Sequence, residues 1–248
     1  MELIKERKNK EIFIEEDKVM KLFFEGHKKS DILNEALNQA RVEENTNLNV
    51  PKLLEVTKIK NRWAIISERV EGKTITELMK ENPENIDEYL NIFVDIQLQI
   101  LSNSVPMLNR IKEKFTRKLK EATNIEENIK YELLERLNGM KNHTKLCHGD
   151  YHPSNVILTN DKKSYVIDWA HVTQGNASAD AARTYLLFSI DGQKKLAEKY
   201  LNLFSEKSSI SKNEIQRWIP IVAATQKTKN IPEEQEFLSK WINVVDYE

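Results

Sequence analysis

The residues of this chain best suited to chemistry are Asp150, Asn155 and Asp168, which lie in His148-Gly149-Asp150-Tyr151-His152-Pro153-Ser154-Asn155 and Ile167-Asp168-Trp169. A carboxylate can accept the proton of an attacking hydroxyl. An asparagine oxygen and a second carboxylate can hold the Mg²⁺ ions that bridge the phosphates of ATP. Two acids and one amide at this spacing point to metal-assisted phosphoryl transfer. His148 and His152 are four apart, which on a helix would suggest a metal pair, but Gly149 and Pro153 argue against a helix there. No third ligand of zinc type lies nearby, so His148 is expected to brace the loop by hydrogen bonding. Cys147, the only cysteine, sits on an apolar strand beside it and reads as a buried, inert thiol.

Elements must hold these residues, and 248 residues are ample to bury a core. Charged residues make up 31% of the chain at a formal net charge of -1, so neither sign dominates and no nucleic-acid or membrane partner is expected. A lone cysteine cannot form an intramolecular disulfide. The start, Glu2-Leu3-Ile4-Lys5-Glu6-Arg7, lacks a signal-peptide core, which together with the lone cysteine predicts a cytoplasmic protein. Apolar runs such as Trp63-Ala64-Ile65-Ile66 are far too short to span a membrane. There is no repeat and no Gly/Ser linker, so two lobes would be joined tightly.

Glu11 to Glu15 and Lys18 to Phe23 read as β-prone runs around a Glu16-Asp17 turn. Ser30 or Asp31 could cap a helix through Val42, with Ile32, Leu33, Ala36, Leu37 and Ala40 as its apolar stripe. Leu53 to Ile59 and Arg62 to Arg69 form a second strand pair around Lys60-Asn61. Thr74-Ile75-Thr76-Glu77 is a capping-box pattern that starts a helix after Gly72. Helical periodicity then runs through Ile86 to Ile100, Ile111 to Leu119 and Ile125 to Leu137. Val156 to Leu158 and Tyr165 to Ile167 read as a hairpin across Asn160-Asp161, carrying Asn155 at one end and Asp168 at the other. Helices resume near Ser178, Lys194, Ser211 and Pro232.

The spacing His-x-Asp-x-x-x-x-Asn is that of the protein-kinase catalytic loop, here with Gly149 in place of arginine. With Gly149, Pro153 and Asp168-Trp169, the stretch resembles the aminoglycoside phosphotransferase and choline kinase family. That resemblance implies an α+β, bilobal, protein-kinase-like fold: an N-lobe over 1–70 made of a small antiparallel sheet and one helix, and a mainly helical C-lobe over 71–248. It implies Asp150 as catalytic base and Asn155 and Asp168 as metal ligands. Lys21 would bind the nucleotide phosphates with Glu35 as its partner, and Val19 would touch the adenine. The competing readings are a solvated edge-strand lysine and a surface carboxylate, with Glu43 and Glu44 as rivals of Glu35. The backbones of Glu68 and Val70 match the hinge that reads adenine. Asp180 matches an aspartate that receives backbone amides of the catalytic loop, although a first-turn acid also suits the helix dipole. The loop near Lys5-Glu6-Arg7-Lys8-Asn9-Lys10 departs from the kinase pattern because it has no glycine, so Lys and Arg side chains or Asn9 would contact the phosphates instead, or the turn is simply solvated.

The expected function is an ATP- and Mg²⁺-dependent phosphotransferase acting on a hydroxyl of a small molecule. A protein kinase is the alternative within enzymes, and the short stretch from Trp169 to Ala177 leaves no platform for a peptide. A catalytically silent nucleotide-binding module is the alternative from another class. Trp218 and Trp241 would lie in helices around the acceptor, each more simply read as core. A cationic amino sugar or amino alcohol would want carboxylates near Asp150, for which Glu233, Glu234, Glu236, Asp246 and Glu248 are candidates. They read equally as a solvated face. The oligomeric state is not legible.

Overall fold

In a computed structural model, which describes residues 2–7 and 9–242, short alternating runs and tight turns build the N-terminal sheet. β1 (Glu2–Glu6), β2 (Lys10–Glu15), β3 (Lys18–Phe23), α1 (Lys29–Asn45), β4 (Leu53–Ile59) and β5 (Arg62–Glu68) follow in sequence, and the strands pair antiparallel in the order β1-β2-β3-β5-β4. Lys60 and Asn61 both have positive φ, at 45° and 66°, which gives the primed turn whose twist matches its strands. Alternation along β3 splits its side chains. Met20 and Leu22 pack with Ala64 on one face, while Phe23 joins Ile32, Ala36 and Ile65 beneath α1 on the other.

The chain continues through β6 (Lys73–Thr74), α2 (Ile75–Glu81), α3 (Ile86–Leu101), α4 (Ile111–Glu121), α5 (Glu127–Gly139), β7 (Lys145–Cys147), β8 (Val156–Leu158), β9 (Ser164–Val166) and β10 (Thr173–Gly175). It ends in α6 (Ala177–Ile190), α7 (Lys194–Ser208), α8 (Lys212–Gln216), α9 (Ile219–Lys227) and α10 (Pro232–Ser239). The chain is α+β, with a small antiparallel sheet first and helices dominating after it. Two compact units result: Met1–Tyr89 with Pro153–His171, and Leu90–His152 with Val172–Glu248. The chain passes from the second unit to the first between His152 and Pro153, inside the predicted catalytic stretch.

In the first unit β6, β8 and β9 form an antiparallel sheet. Gly72 is required beside it, because a Cβ there would meet the Leu158 carbonyl oxygen at 2.4 Å. The capping box is formed: Thr74 N–H donates to Glu77 Oε2 at 2.7 Å, and Glu77 N–H donates to Thr74 Oγ1 at 3.2 Å. In the second unit β7 pairs antiparallel with β10, and Phe93, Tyr151, Phe188, Tyr200 and Phe204 fill the core between helices. Phe93 stacks on Tyr151 with ring centroids 4.3 Å apart.

Two expectations shift. α1 starts at Lys29 and its N-cap is Lys28 without a side-chain bond, so neither Ser30 nor Asp31 caps it. Its buried stripe is Ile32, Glu35, Ala36, Gln39 and Val42, while Leu33 and Leu37 point outward at 41% and 48% exposure. The helix is held by packing under the sheet rather than by a cap.

Candidate active site

Two facing strands and one helix assemble a charge cluster in the first unit. Lys21 of β3 donates from Nζ to Glu35 Oε1 at 2.7 Å and to Asp168 Oδ1 at 3.0 Å. Lys10 donates to both oxygens of the same Glu35, at 3.0 and 3.2 Å. Burial alone would push the Lys21 ammonium down, but the Asp168 and Glu35 carboxylates outweigh it and hold it above its ordinary value. Glu35 is buried, and two lysines offset its charge. Glu43 is occupied elsewhere, accepting from the Leu53 amide at 2.9 Å. Lys10 was not singled out in the sequence. The signal was present in the register: Ile12 lies opposite Lys21, and alternation puts Lys10 on the same sheet face.

The β8–β9 hairpin carries Asn155 and Asp168 as expected. Ile167 N–H donates to the Asn155 carbonyl at 2.9 Å, which brings the two ends together. Asn155 is buried. Asp168 has φ 64°, a left-handed conformation that among non-glycine residues Asn and Asp adopt most readily, and the next residue anchors it: Trp169 is buried and donates from Nε1 to the Val166 carbonyl at 2.9 Å. The turn between β1 and β2 contains no glycine, and its Lys8 lies outside the described residues. Burial and Arg7 lower the Lys5 ammonium, while the carboxylates of Asp168 and Glu77 raise it, so Lys5 shares the electrostatic surroundings of Asp168. Val19 is half-buried on the Lys21 face of β3. The Glu68 N–H donates to the Lys52 carbonyl at 2.9 Å.

In the second unit β7 delivers the chain into a polar, buried loop. Cys147 is buried and burial pushes its thiol well up, as an inert cysteine requires. His148 is buried, and its Nδ1 accepts from the Asp150 N–H at 3.3 Å. Gly149, at φ 77°, donates its N–H to Asp180 Oδ1 at 2.7 Å. Asp180 also accepts from Gln97 Nε2 at 3.1 Å, and Gln97 Oε1 accepts from the Tyr200 hydroxyl at 2.7 Å. Burial pushes the Asp180 carboxyl up against the opposing Gly149 amide, His148 and Gln97. The Tyr151 hydroxyl donates to the Phe93 carbonyl at 2.7 Å, and the Thr184 hydroxyl donates to the Tyr151 carbonyl at 2.9 Å.

Asp150 itself meets Arg183, whose Nη2 donates to Oδ1 at 3.0 Å, while His152 Nε2 lies 3.6 Å from Oδ2. Sequence reasoning passed over Arg183, although it stands three residues after Asp180 on α6 and so on the face that anchors the loop. Trp218 is fully buried and behaves as core. Trp241 packs on Tyr185 and Phe237 with ring centroids 5.8 and 5.5 Å away. Glu233, Glu234 and Glu236 lie on α10, and Asp246 and Glu248 lie outside the described residues.

A lysine–glutamate pair reaching from a small sheet to its helix, with a loop aspartate after a hairpin, defines a kinase-like fold. The chain belongs to the phosphotransferase enzyme family, whose model matches residues 4–211. It is similar to a thermostable mutant of aminoglycoside phosphotransferase APH(4)-Ia in its apo form, at 12% identity and TM-score 0.71, covering 97% of this chain and 91% of that one. It is similar to ADP-bound APH(2'')-Ib, at 17% identity and TM-score 0.63 over 97% and 90% of the two chains. An aminoglycoside-3'-phosphotransferase of type VIII gives 13% identity and TM-score 0.64 over 90% and 94%. At such identities these structures establish the fold. No match to a curated protein was found. Among the described residues no helix is long and apolar enough to cross a membrane.

Proposed function

We propose that this phosphotransferase is ATP- and Mg²⁺-dependent and moves the γ-phosphoryl group to a hydroxyl of a small molecule, with Asp150 as base. The observation that carries it is Lys21 bridging Glu35 and Asp168 at 2.7 and 3.0 Å. A lysine held by a helix glutamate is the arrangement that presents an ammonium to nucleotide phosphates. Solved structures of similar fold support nucleotide use: one holds ADP and hygromycin B, another AMP-PNP and hygromycin B.

Residues 1–70 supply the nucleotide-binding sheet and helix, with Val19 against adenine and the Glu68 and Val70 backbones reading its edge. Residues 71–248 carry the catalytic loop and the acceptor site. Among the described residues no group of three or more His, Cys, Asp or Glu is arranged to hold a metal by itself. That suits Mg²⁺, which takes one or two protein oxygens and completes its shell with phosphates and water. Asp168 and Asn155 offer hard oxygens for it, and a bound Mg²⁺ would neutralise charge developing on the phosphates.

The acceptor oxygen bonds to the γ-phosphorus as its proton passes to Asp150, and the bond from that phosphorus to the ADP oxygen breaks, ADP keeping the electron pair. His148, Asp180 and Arg183 hold Asp150 in position: Asp180 through the Gly149 amide, His148 through the Asp150 amide, Arg183 directly. Purified protein given Mg·ATP and a panel of small hydroxyl compounds releases ADP with at least one of them. Mg·ATP binding without ADP release from any acceptor, small or protein, would make the chain a silent nucleotide-binding module. Robust transfer to generic proteins and to no small acceptor would make it a protein kinase.

A further inference from the structure

The surroundings of Asp150 within the second unit are basic. Arg183 is ion-paired to it at 3.0 Å and is buried. Lys114 and Lys118 stand four apart on α4 and so share a face of that helix. Both α4 and α6 pack on α9, and Lys229 follows just after α9. Lys118 lines a cavity of about 200 Å³ together with Glu121, Asn124, and the two neighbours of Lys229, Thr228 and Asn230. Asn124 Nδ2 fixes this corner, donating at 2.8 Å to the Lys227 carbonyl and at 2.8 Å to Asn230 Oδ1.

The charges feel one another. Burial, Arg183 and Arg117 lower Lys118, with Asp150 opposing. Burial and Arg183 bring Lys229 down to about 8, with Lys118 adding to this and Asp150 and Glu234 opposing. Burial, Lys118, Lys229, Arg183 and Arg117 bring Lys114 to about 7. Among the described residues neither Lys118 nor Lys229 forms an ion pair or side-chain hydrogen bond. Crowded cations in a partly desolvated corner disfavour one another, and an anion placed among them removes that cost. A cationic acceptor would meet the single carboxylate of Glu121 on the cavity wall against Lys118 there and Lys229 between two of its lining residues. The α10 acids do not add to it: Glu234 accepts from Gln226 Nε2 at 2.6 Å and Glu236 pairs with Lys240 at 3.1 Å.

We propose that the acceptor carries a phosphate or carboxylate group of its own, held by Lys118 and Lys229, while its hydroxyl is the one phosphorylated at Asp150. This rests on the phosphotransferase reading and narrows it, because it sets the chain apart from enzymes whose acceptors are amino sugars.

The test uses the whole protein and charge-matched probes. Glycerol, glycerol 3-phosphate and glycerate, ribose and ribose 5-phosphate, choline and kanamycin are each offered with Mg·ATP, reading ADP release, and with Mg·AMP-PNP, reading binding by calorimetry. The anionic probes are expected to bind and be used at least ~10-fold better than their neutral partners. Lys118→Gln and Lys229→Gln each weaken anionic binding by ~10-fold, the order of a hydrogen bond to a charged group, while Mg·ATP affinity holds. Preference for choline, kanamycin or the neutral partners overturns the proposal and leaves the phosphotransferase reading standing. So does an absence of binding by every anionic probe to protein that still binds Mg·ATP. Lysine variants that raise the KM for ATP and leave anion binding untouched also overturn it, since the cluster then serves the nucleotide. Failure to bind Mg·ATP at all strikes the phosphotransferase reading itself.

Discussion

Asp150 and Asp168 are both loop carboxylates, yet their neighbours differ in a way that separates their roles. Asp150 meets an arginine and a histidine, whereas Asp168 meets the lysine that is tied to Glu35. Asp150→Asn is therefore expected to leave ATP affinity within about 3-fold while lowering turnover by ~10²–10⁴, the usual loss when a positioned proton acceptor is removed. Single-turnover rates and nucleotide titration check both halves, and a variant turning over at wild-type speed removes Asp150 from the mechanism. Asp168→Ala should instead raise the Mg²⁺ concentration needed for half-maximal rate, with Asn155→Ala showing a milder form. An unchanged Mg²⁺ requirement in both variants contradicts their assignment as metal ligands.

At the scale of elements, the loop that carries Asp150 is held by α6 and α3 rather than by its own turn. Asp180 takes the Gly149 amide, Gln97 of α3 holds Asp180, and Tyr200 of α7 holds Gln97. Asp180→Ala leaves the half-buried Gly149 amide and the buried Gln97 amide without that acceptor, which costs about 2–4 kcal/mol. Thermal unfolding should register the loss, together with a fall in turnover larger than the change in KM for ATP. Wild-type stability in this variant would mean the network does not brace the loop. The capping box of α2 is a smaller brace: Thr74→Ala should cost about 1 kcal/mol, read by denaturant unfolding, with nucleotide binding unchanged.

For the whole molecule, the basic corner links stability to pH. Lys114 and Lys229 fall to about 7 and about 8 in the folded chain from an ordinary 10.5, with burial the first cause for each. Between those values and 10.5 the unfolded chain binds more protons than the folded one, so stability rises with pH. Burial raises the Cys147 thiol above its ordinary 9.0, which gives the opposite slope above that pH. The melting temperature of the unliganded protein should thus climb between pH 7 and about 9, and climb less steeply in Lys114→Gln, where Lys229 still contributes. A flat or falling profile in the wild type over that window would contradict the charge crowding.

The sequence by itself determined the spacing of Asp150, Asn155 and Asp168, the strand pairs around Glu16-Asp17 and Lys60-Asn61, the capping box, and the hairpin that brings Asn155 and Asp168 to one edge. These are local: turn chemistry, alternation and caps act within a few residues and leave their mark in order and spacing. The Lys21–Glu35 pair followed from the family resemblance with Glu43 and Glu44 as rivals, and the structure chose Glu35 by burying it on the sheet side of α1. What only the tertiary structure decided joins residues far apart in the chain. Lys10 on Glu35, Arg183 on Asp150, and the gathering of Lys114, Lys118 and Lys229 depend on strand register and on how helices pack. In the sequence Arg183, Lys114, Lys118 and Lys229 pass as ordinary charges, and Lys10 reads as the end of a basic turn rather than as a partner of Glu35. The outward turn of Leu33 and Leu37 has the same origin, since two faces of α1 were apolar enough to pack and the sheet chose between them.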